Sequence, residues 1–218
     1  LDVAEDSART YVREFLDRGY TSGGPGEASQ CPDSESAFGL LESLVTLYEE
    51  TGDRAWIPLA EKAAWLAASW VMPYDFAFPP ESSFGRLDMR TTGTVWANVQ
   101  NKHSAPGICT LSGVSLLKLY RATGEPRYLE LCAQIGHAIS QYLSRADRPV
   151  FGMPDGWMCE RVNTSDWERP QTPVGEGFPA SCWCEAASLL TFAELPGEGQ
   201  QGCRSEEHTS ELQSLTNL

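Results

Sequence analysis

Apolar residues recur at helical spacing from the first turn of the chain. Val3, Ala4, Ala8, Tyr11, Val12, Phe15 and Leu16 predict a helix over 3–16. Thr21-Ser-Gly-Gly-Pro-Gly-Glu then breaks the pattern with loop chemistry. A second apolar run, opened by Asp33-Ser-Glu-Ser with Asp33 or Ser34 as the cap, predicts a helix through Tyr48. Gly52 fits a left-handed C-terminal cap in the short turn Thr51-Gly-Asp-Arg. Helical spacing returns over 56–71, 106–120, 128–143 and 182–194, with a further tight turn at Thr123-Gly-Glu-Pro. About six helices are expected.

These helices are copies of one another. Ser43-Leu-Val-Thr-Leu-Tyr-Glu-Glu-Thr-Gly52 realigns 72 residues later on Ser115-Leu-Leu-Lys-Leu-Tyr-Arg-Ala-Thr-Gly124, and over 43–71 against 115–143 the windows share 7 identities in 29. Asp53/Glu125, Trp56/Tyr128 and Trp70/Tyr142 are conservative pairs. A third copy begins at Ser188-Leu-Leu-Thr-Phe, offset by 73. A repeat of this length is one supersecondary unit that buries its apolar face only against its neighbours. The unit is a helical hairpin, which predicts an all-α fold, and 3–16 reads as the second helix of an earlier hairpin.

Within a hairpin the turn is short, whereas between hairpins the chain runs through 72–104 and 144–181. Connections of that length are uncommon in compact domains and are usually functional when ordered. Successive first helices should run parallel, so both long connections should emerge at one end of the helices. The functional site is expected there.

Charge and cysteine content narrow the partners. The formal net charge is −14, and a net acidic surface argues against nucleic acid or an anionic membrane. No apolar run approaches a membrane span. The seven cysteines, at 31, 109, 132, 159, 182, 184 and 203, are odd in number and widely spread. That pattern points to reduced thiols or a metal site rather than a disulfide framework. Residues 204–214, Arg-Ser-Glu-Glu-His-Thr-Ser-Glu-Leu-Gln-Ser, resemble the translation of a sequencing adapter. We therefore assign the native fold to 1–203 and set 204–218 aside as non-native sequence. The opening on Leu1, already in helical pattern, reads as an internal fragment.

The repeat, the Thr-Gly-Asp/Glu turns followed by Trp or Tyr, and the long connections together resemble the six-hairpin (α/α)6 toroid superfamily of glycosidases. The resemblance covers nearly all of 1–203 and implies a partial toroid with half of the twelve helices. It also implies a carbohydrate substrate. Sugar epimerases and lyases share the architecture. Ala97-Asn98-Val99-Gln100 and Ser181-Cys182-Trp183-Cys184 occur in the order found in bacterial β-L-arabinofuranosidases. That closer resemblance implies a Cys nucleophile, Cys182 or Cys184, within a zinc site of Cys and Glu. The family's Glu-x-Cys element is absent here, with only Cys159-Glu160 nearby.

Glycoside hydrolysis requires one carboxyl group to protonate the leaving oxygen and a second on the opposite face of the sugar. Among the connection carboxylates the preferred catalytic candidates are Glu160, Asp166 and Glu176. Glu160 adjoins Arg161, Asp166 flanks Trp167, and Glu176 lies between two glycines ahead of the Cys-rich helix start. Most loop carboxylates are solvated or cap helices, and Asp33 reads as such a cap. Trp157, Trp167 and Trp183 offer flat surfaces for sugar stacking, although a buried Trp also serves to pin a long loop. Asp88, Asn98, Gln100 and His103 complete the substrate-binding candidates. His103 could instead shuttle protons in an epimerase or isomerase. A non-catalytic glycan-binding toroid is the third reading. No cofactor is required for a two-carboxylate mechanism. If zinc is used, Cys159, Cys182 and Cys184 are the expected ligands, with Cys182 and Cys184 near a helix N-terminus that favours thiolate.

Overall fold

The computed structural model describes residues 1–23, 31–99, 104–105, 113–165, 173–178 and 184–193. The chain is mostly helical, as expected. Helix α1 spans Asp2–Glu14 and ends in a 3-10 turn, Leu16–Arg18. Helices α2 (Ser34–Thr51) and α3 (Trp56–Ala68) form the first complete hairpin. A short α4 (Ser83–Arg86) and strands β1 (Val95–Trp96) and β2 (Ser104–Ala105) occupy the first long connection. The second hairpin is α5 (Val114–Thr123) and α6 (Pro126–Gln141). Strands β3 (Arg161–Val162) and β4 (Gly177–Phe178) lie in the second connection, and α7 (184–193) follows it.

The two complete hairpins turn by the same chemistry. Gly52 and Gly124 take φ of 67° and 74°, and their N–H groups donate to Tyr48 O and Tyr120 O, closing the preceding helix. The Thr51 and Thr123 hydroxyls donate back to Leu47 O and Leu119 O and accept the N–H of Asp53 and Glu125. Asp53 and Glu125 accept in turn from the N–H groups of Ala55 and Arg127. The Thr-Gly-Asp/Glu signature is thus a complete hydrogen-bonded turn. Asp33 is the N-cap of α2, as predicted, with Ser36 N donating to its Oδ1 at 2.6 Å.

The core runs along the helix seams. Leu41, Leu44, Leu116, Leu117 and Leu119 are fully buried, and so are Trp56 at the start of α3 and Tyr142 just past α6. The Arg9 guanidinium of α1 lies 4.3 Å from the Trp56 ring centroid, a cation–π contact that ties α1 to the first hairpin. Helix α5 packs on both α2 and α3, and α2 packs on α1, so each first helix touches the hairpin before it.

Helix ends differ from the sequence expectation for a visible reason. Helices α3 and α6 end at Ala68 and Gln141, short of Val71 and Leu143. Those two residues, equivalent in the repeat, instead form β-bridges to Val95 and Met158 of the connections that follow them. The bridge competes with one more helical turn and wins. Residues 106–112, placed in a helix from the sequence, lie outside the described residues, as do Cys182, Trp183 and Glu194 at the ends of the last predicted helix.

The small sheet was not anticipated. Its order is β1-β2-β3-β4, antiparallel throughout, with Val95 paired to Ala105, Ser104 to Val162 and Arg161 to Phe178. It joins the two long connections to each other. The N-terminal ends of α2 and α7 and the C-terminal ends of α3 and α6 all reach this side: Ser34 N donates to Ala97 O, Cys184 Sγ to Glu160 O, and the Val71 and Leu143 bridges supply the rest. An 18-residue helix such as α2 is about 27 Å long at 1.5 Å per residue. The Gly52 turn therefore lies a full helix length from the Asp33 end.

Candidate functional site

Beneath the sheet, aromatic rings fasten the two connections together. Phe76, Phe78, Phe84, Phe151 and Tyr142 form a chain of ring contacts with centroids 5.0–5.9 Å apart. Any side chain at Gly177 would run into the Phe151 ring and Cys159 Sγ, so this strand needs glycine for close approach. The Tyr142 hydroxyl donates to Arg90 O at 3.2 Å and shares a hydrogen bond of 2.8 Å with the Thr94 hydroxyl. Burial pushes the Tyr142 phenol up, with the Thr94 hydrogen bond acting the other way.

Two of the three predicted catalytic carboxylates are brought to this sheet. Glu160 immediately precedes β3, and its Oε1 lies 3.6 Å from Arg161 Nε, both side chains largely shielded. Glu176 immediately precedes β4. Its Oε1 accepts the Ser83 N–H at 2.8 Å, while Phe84 N donates to Gly175 O at 2.9 Å. Glu176 therefore caps α4 and clamps one connection to the other. Asp166 lies outside the described residues, together with Trp167, Trp183, Gln100, His103 and Cys182.

The remaining candidates spread along the same side. Trp157, three residues before Glu160, is half exposed. Asn98 is buried, bridges to Asp33 in the backbone, and its Oδ1 lies 4.0 Å from Cys31 Sγ. The Ala97-Asn98 pair thus anchors the first connection to the start of α2. Asp88 is exposed and has a φ of 48°. The structure brings Glu160, Glu176 and Trp157 onto one sheet-bearing connection, with Asn98 near α2.

Sequence reasoning counted Glu185 among the loop carboxylates but not among the preferred candidates, yet α7 carries it to the same place. Its Oε1 accepts the Met158 N–H at 2.9 Å, and its Oε2 is shielded from solvent with no hydrogen-bond partner among the described residues. A carboxylate one turn into the predicted 182–194 helix, directly after Cys184, was the available signal. Cys159 and Cys184 are buried nearby, but each thiol is turned to a backbone carbonyl, Cys159 Sγ to Arg161 O at 2.7 Å and Cys184 Sγ to Glu160 O at 3.6 Å. Among the described residues no group of three or more His, Cys, Asp or Glu is placed to hold a metal ion. The described donors alone do not make the zinc site that the resemblance implies.

No described helix is long and apolar enough to cross a membrane. No family model, curated protein or solved structure matches the chain.

Proposed function

We propose that this chain is part of a carbohydrate-active enzyme, a glycoside hydrolase built on a helical toroid, with its acid and base in the long connections. The reading rests on one observation above the others. The connection that carries the candidate carboxylates shares one sheet with the other long connection at one end of the helices, with Glu160 just ahead of the inner strand β3, Glu176 just ahead of the edge strand β4, and a half-exposed Trp157 three residues before Glu160. In this reading Glu160, paired with Arg161, is the carboxylate that activates water or attacks the sugar. Asp166 or Glu176 protonates the leaving oxygen. Trp157 and Trp167 stack on the sugar face.

The test is a panel of chromogenic glycosides with Glu160→Gln, Asp166→Asn and Glu176→Gln variants. A positioned acid or base acts in the transition state, so turnover should fall by roughly 10²–10⁴-fold with little change in sugar binding. Trp157→Ala should act mainly on binding. Loss of activity in Cys182→Ser or Cys184→Ser, or on adding a strong chelator, would favour the zinc–thiolate chemistry of the arabinofuranosidases. Full activity in all three carboxylate variants would reject the assignment.

One observation favours a second reading. Glu176 already serves a structural role at the start of α4, which leaves it less free to transfer protons. A glycan-binding toroid without catalysis fits that role. Retained sugar binding in a chain that turns over no glycoside would support it.

A further inference from the structure

The segment 157–161 carries both Trp157 and Glu160, and it is held along both of its edges. In an extended segment the N–H and C=O of one residue point to the same edge, and those of the next residue point to the other. Trp157 and Cys159 share one edge. Ser144 N donates to Trp157 O at 2.7 Å, and Cys159 N donates to Tyr142 O at 3.3 Å. That edge is served by backbone just past α6, where Leu143 bridges to Met158.

The other edge, that of Met158 and Glu160, is served by side chains. Met158 N donates to Glu185 Oε1 at 2.9 Å, and Cys184 Sγ donates to Glu160 O at 3.6 Å. Cys184 and Glu185 are neighbours in the first turn of α7. Their carboxylate and thiol take the places that a C=O and an N–H of a pairing strand would take. A thiol is a weak donor and a carboxylate a strong acceptor, so the firmer hold on this edge belongs to Glu185.

The Glu185 carboxylate faces into the protein. Its Oε1 is engaged by Met158 N, and its Oε2 is shielded, with no hydrogen-bond partner among the described residues. That orientation suits a group that acts through the backbone it grips. A half-satisfied buried carboxylate also breaks a rule that folds relax mainly at functional sites. The gripped residues Met158 and Cys159 are buried. On either side of them stand Trp157, half exposed, and Glu160, paired with Arg161.

We propose that Glu185 is a positioning residue that sets Trp157 and Glu160 by fixing the segment between them. Its hold on Trp157 follows from the hydrogen bonds alone. Its effect on catalysis rests on the glycoside-hydrolase reading above, in which a small displacement of stacking ring and carboxylate lowers turnover.

The experiment is fluorine NMR of the whole chain labelled with 5-fluorotryptophan, alongside glycoside turnover, for the unaltered protein, Glu185→Ala and Glu185→Gln. Trp157→Phe assigns the Trp157 signal, and Trp65→Phe assigns that of Trp65 in α3 as a control. In Glu185→Ala the Trp157 signal should shift or broaden while Trp65 stays in place, and turnover should fall about 10–100-fold. Glu185→Gln keeps an oxygen that can accept the Met158 N–H, so it should restore the Trp157 signal and most of the turnover. An unmoved Trp157 signal in Glu185→Ala would overturn the proposal. So would a Gln variant that behaves like the Ala variant, an equal disturbance of Trp65, or full turnover with Trp157 displaced. If the unaltered chain turns over no glycoside, the functional reading fails, and the fluorine spectra still decide whether Glu185 positions Trp157.

Discussion

Single side chains do more in this molecule to hold connections than to line a cleft. Asp75 Oδ1 accepts three hydrogen bonds, from the N–H groups of Thr91 and Thr92 and from the Thr92 hydroxyl, each at 2.8–3.0 Å. The Thr92 N–H above all holds its carboxyl below the usual range. A depressed carboxyl stabilises the fold above its unfolded value, near 3.9, and loses that contribution as pH falls through the folded value. Because Asp75 is exposed, Asp75→Asn should cost only about 1 kcal/mol at neutral pH. The gap between the two proteins in urea melts should shrink as pH drops below about 4. An equal gap at neutral and strongly acid pH would count against the staple. Thiol chemistry gives a second test. Burial pushes the Cys132 thiol up to about 12, whereas Cys31 is only half-buried. The thiolate is the nucleophile, so iodoacetamide at mild alkaline pH should label Cys31 well before Cys132, as read by mass spectrometry. At this scale Asp33 was legible as a cap because its partner is three residues away. The cap formed by Glu176 was not, because Ser83 lies 93 residues away and only the fold brings them together.

Elements were legible where the signal is local. The Thr-Gly-Asp/Glu turns were readable because glycine, hydroxyl and carboxylate each complete a bond within a few residues of themselves. The strands were not, because a two-residue strand shows no alternation and exists only through partners on other segments. The same distinction orders a set of glycine substitutions. Gly52 and Gly124 have left-handed φ and open space around a new Cβ. Gly52→Ala and Gly124→Ala should each cost about 1 kcal/mol, the price of the backbone conformation alone. Gly175, at φ 81°, would in addition drive its Cβ into the Ser82 side chain. Gly175→Ala should therefore destabilise more than either turn variant and loosen the two connections. Denaturant midpoints for the three proteins would check the order, and equal losses would contradict it.

At the scale of the whole molecule, the order of the hairpins was legible from the repeat, but the angle at which one hairpin packs on the next was not. A repeat fixes what packs on its neighbour; how far each unit rotates against the next depends on packing that no local pattern encodes. Charge is the other property of the whole chain. A formal net charge of −14 repels itself in the compact state. The ion pairs that salt would weaken are mostly exposed, such as Arg18–Glu14, Lys62–Asp17 and Arg145–Asp147. Exposed pairs contribute about 0–1 kcal/mol each, and several of these join residues of one segment, so their loss costs the fold little. Screening acts on the repulsion as well, across every pair of acidic groups beyond a Debye length of about 8 Å. Relief of repulsion should outweigh the lost attraction. Raising sodium chloride from low to moderate ionic strength should raise the melting temperature. A melting temperature that falls with added salt would show that the local pairs dominate, and that net charge is not what limits this fold.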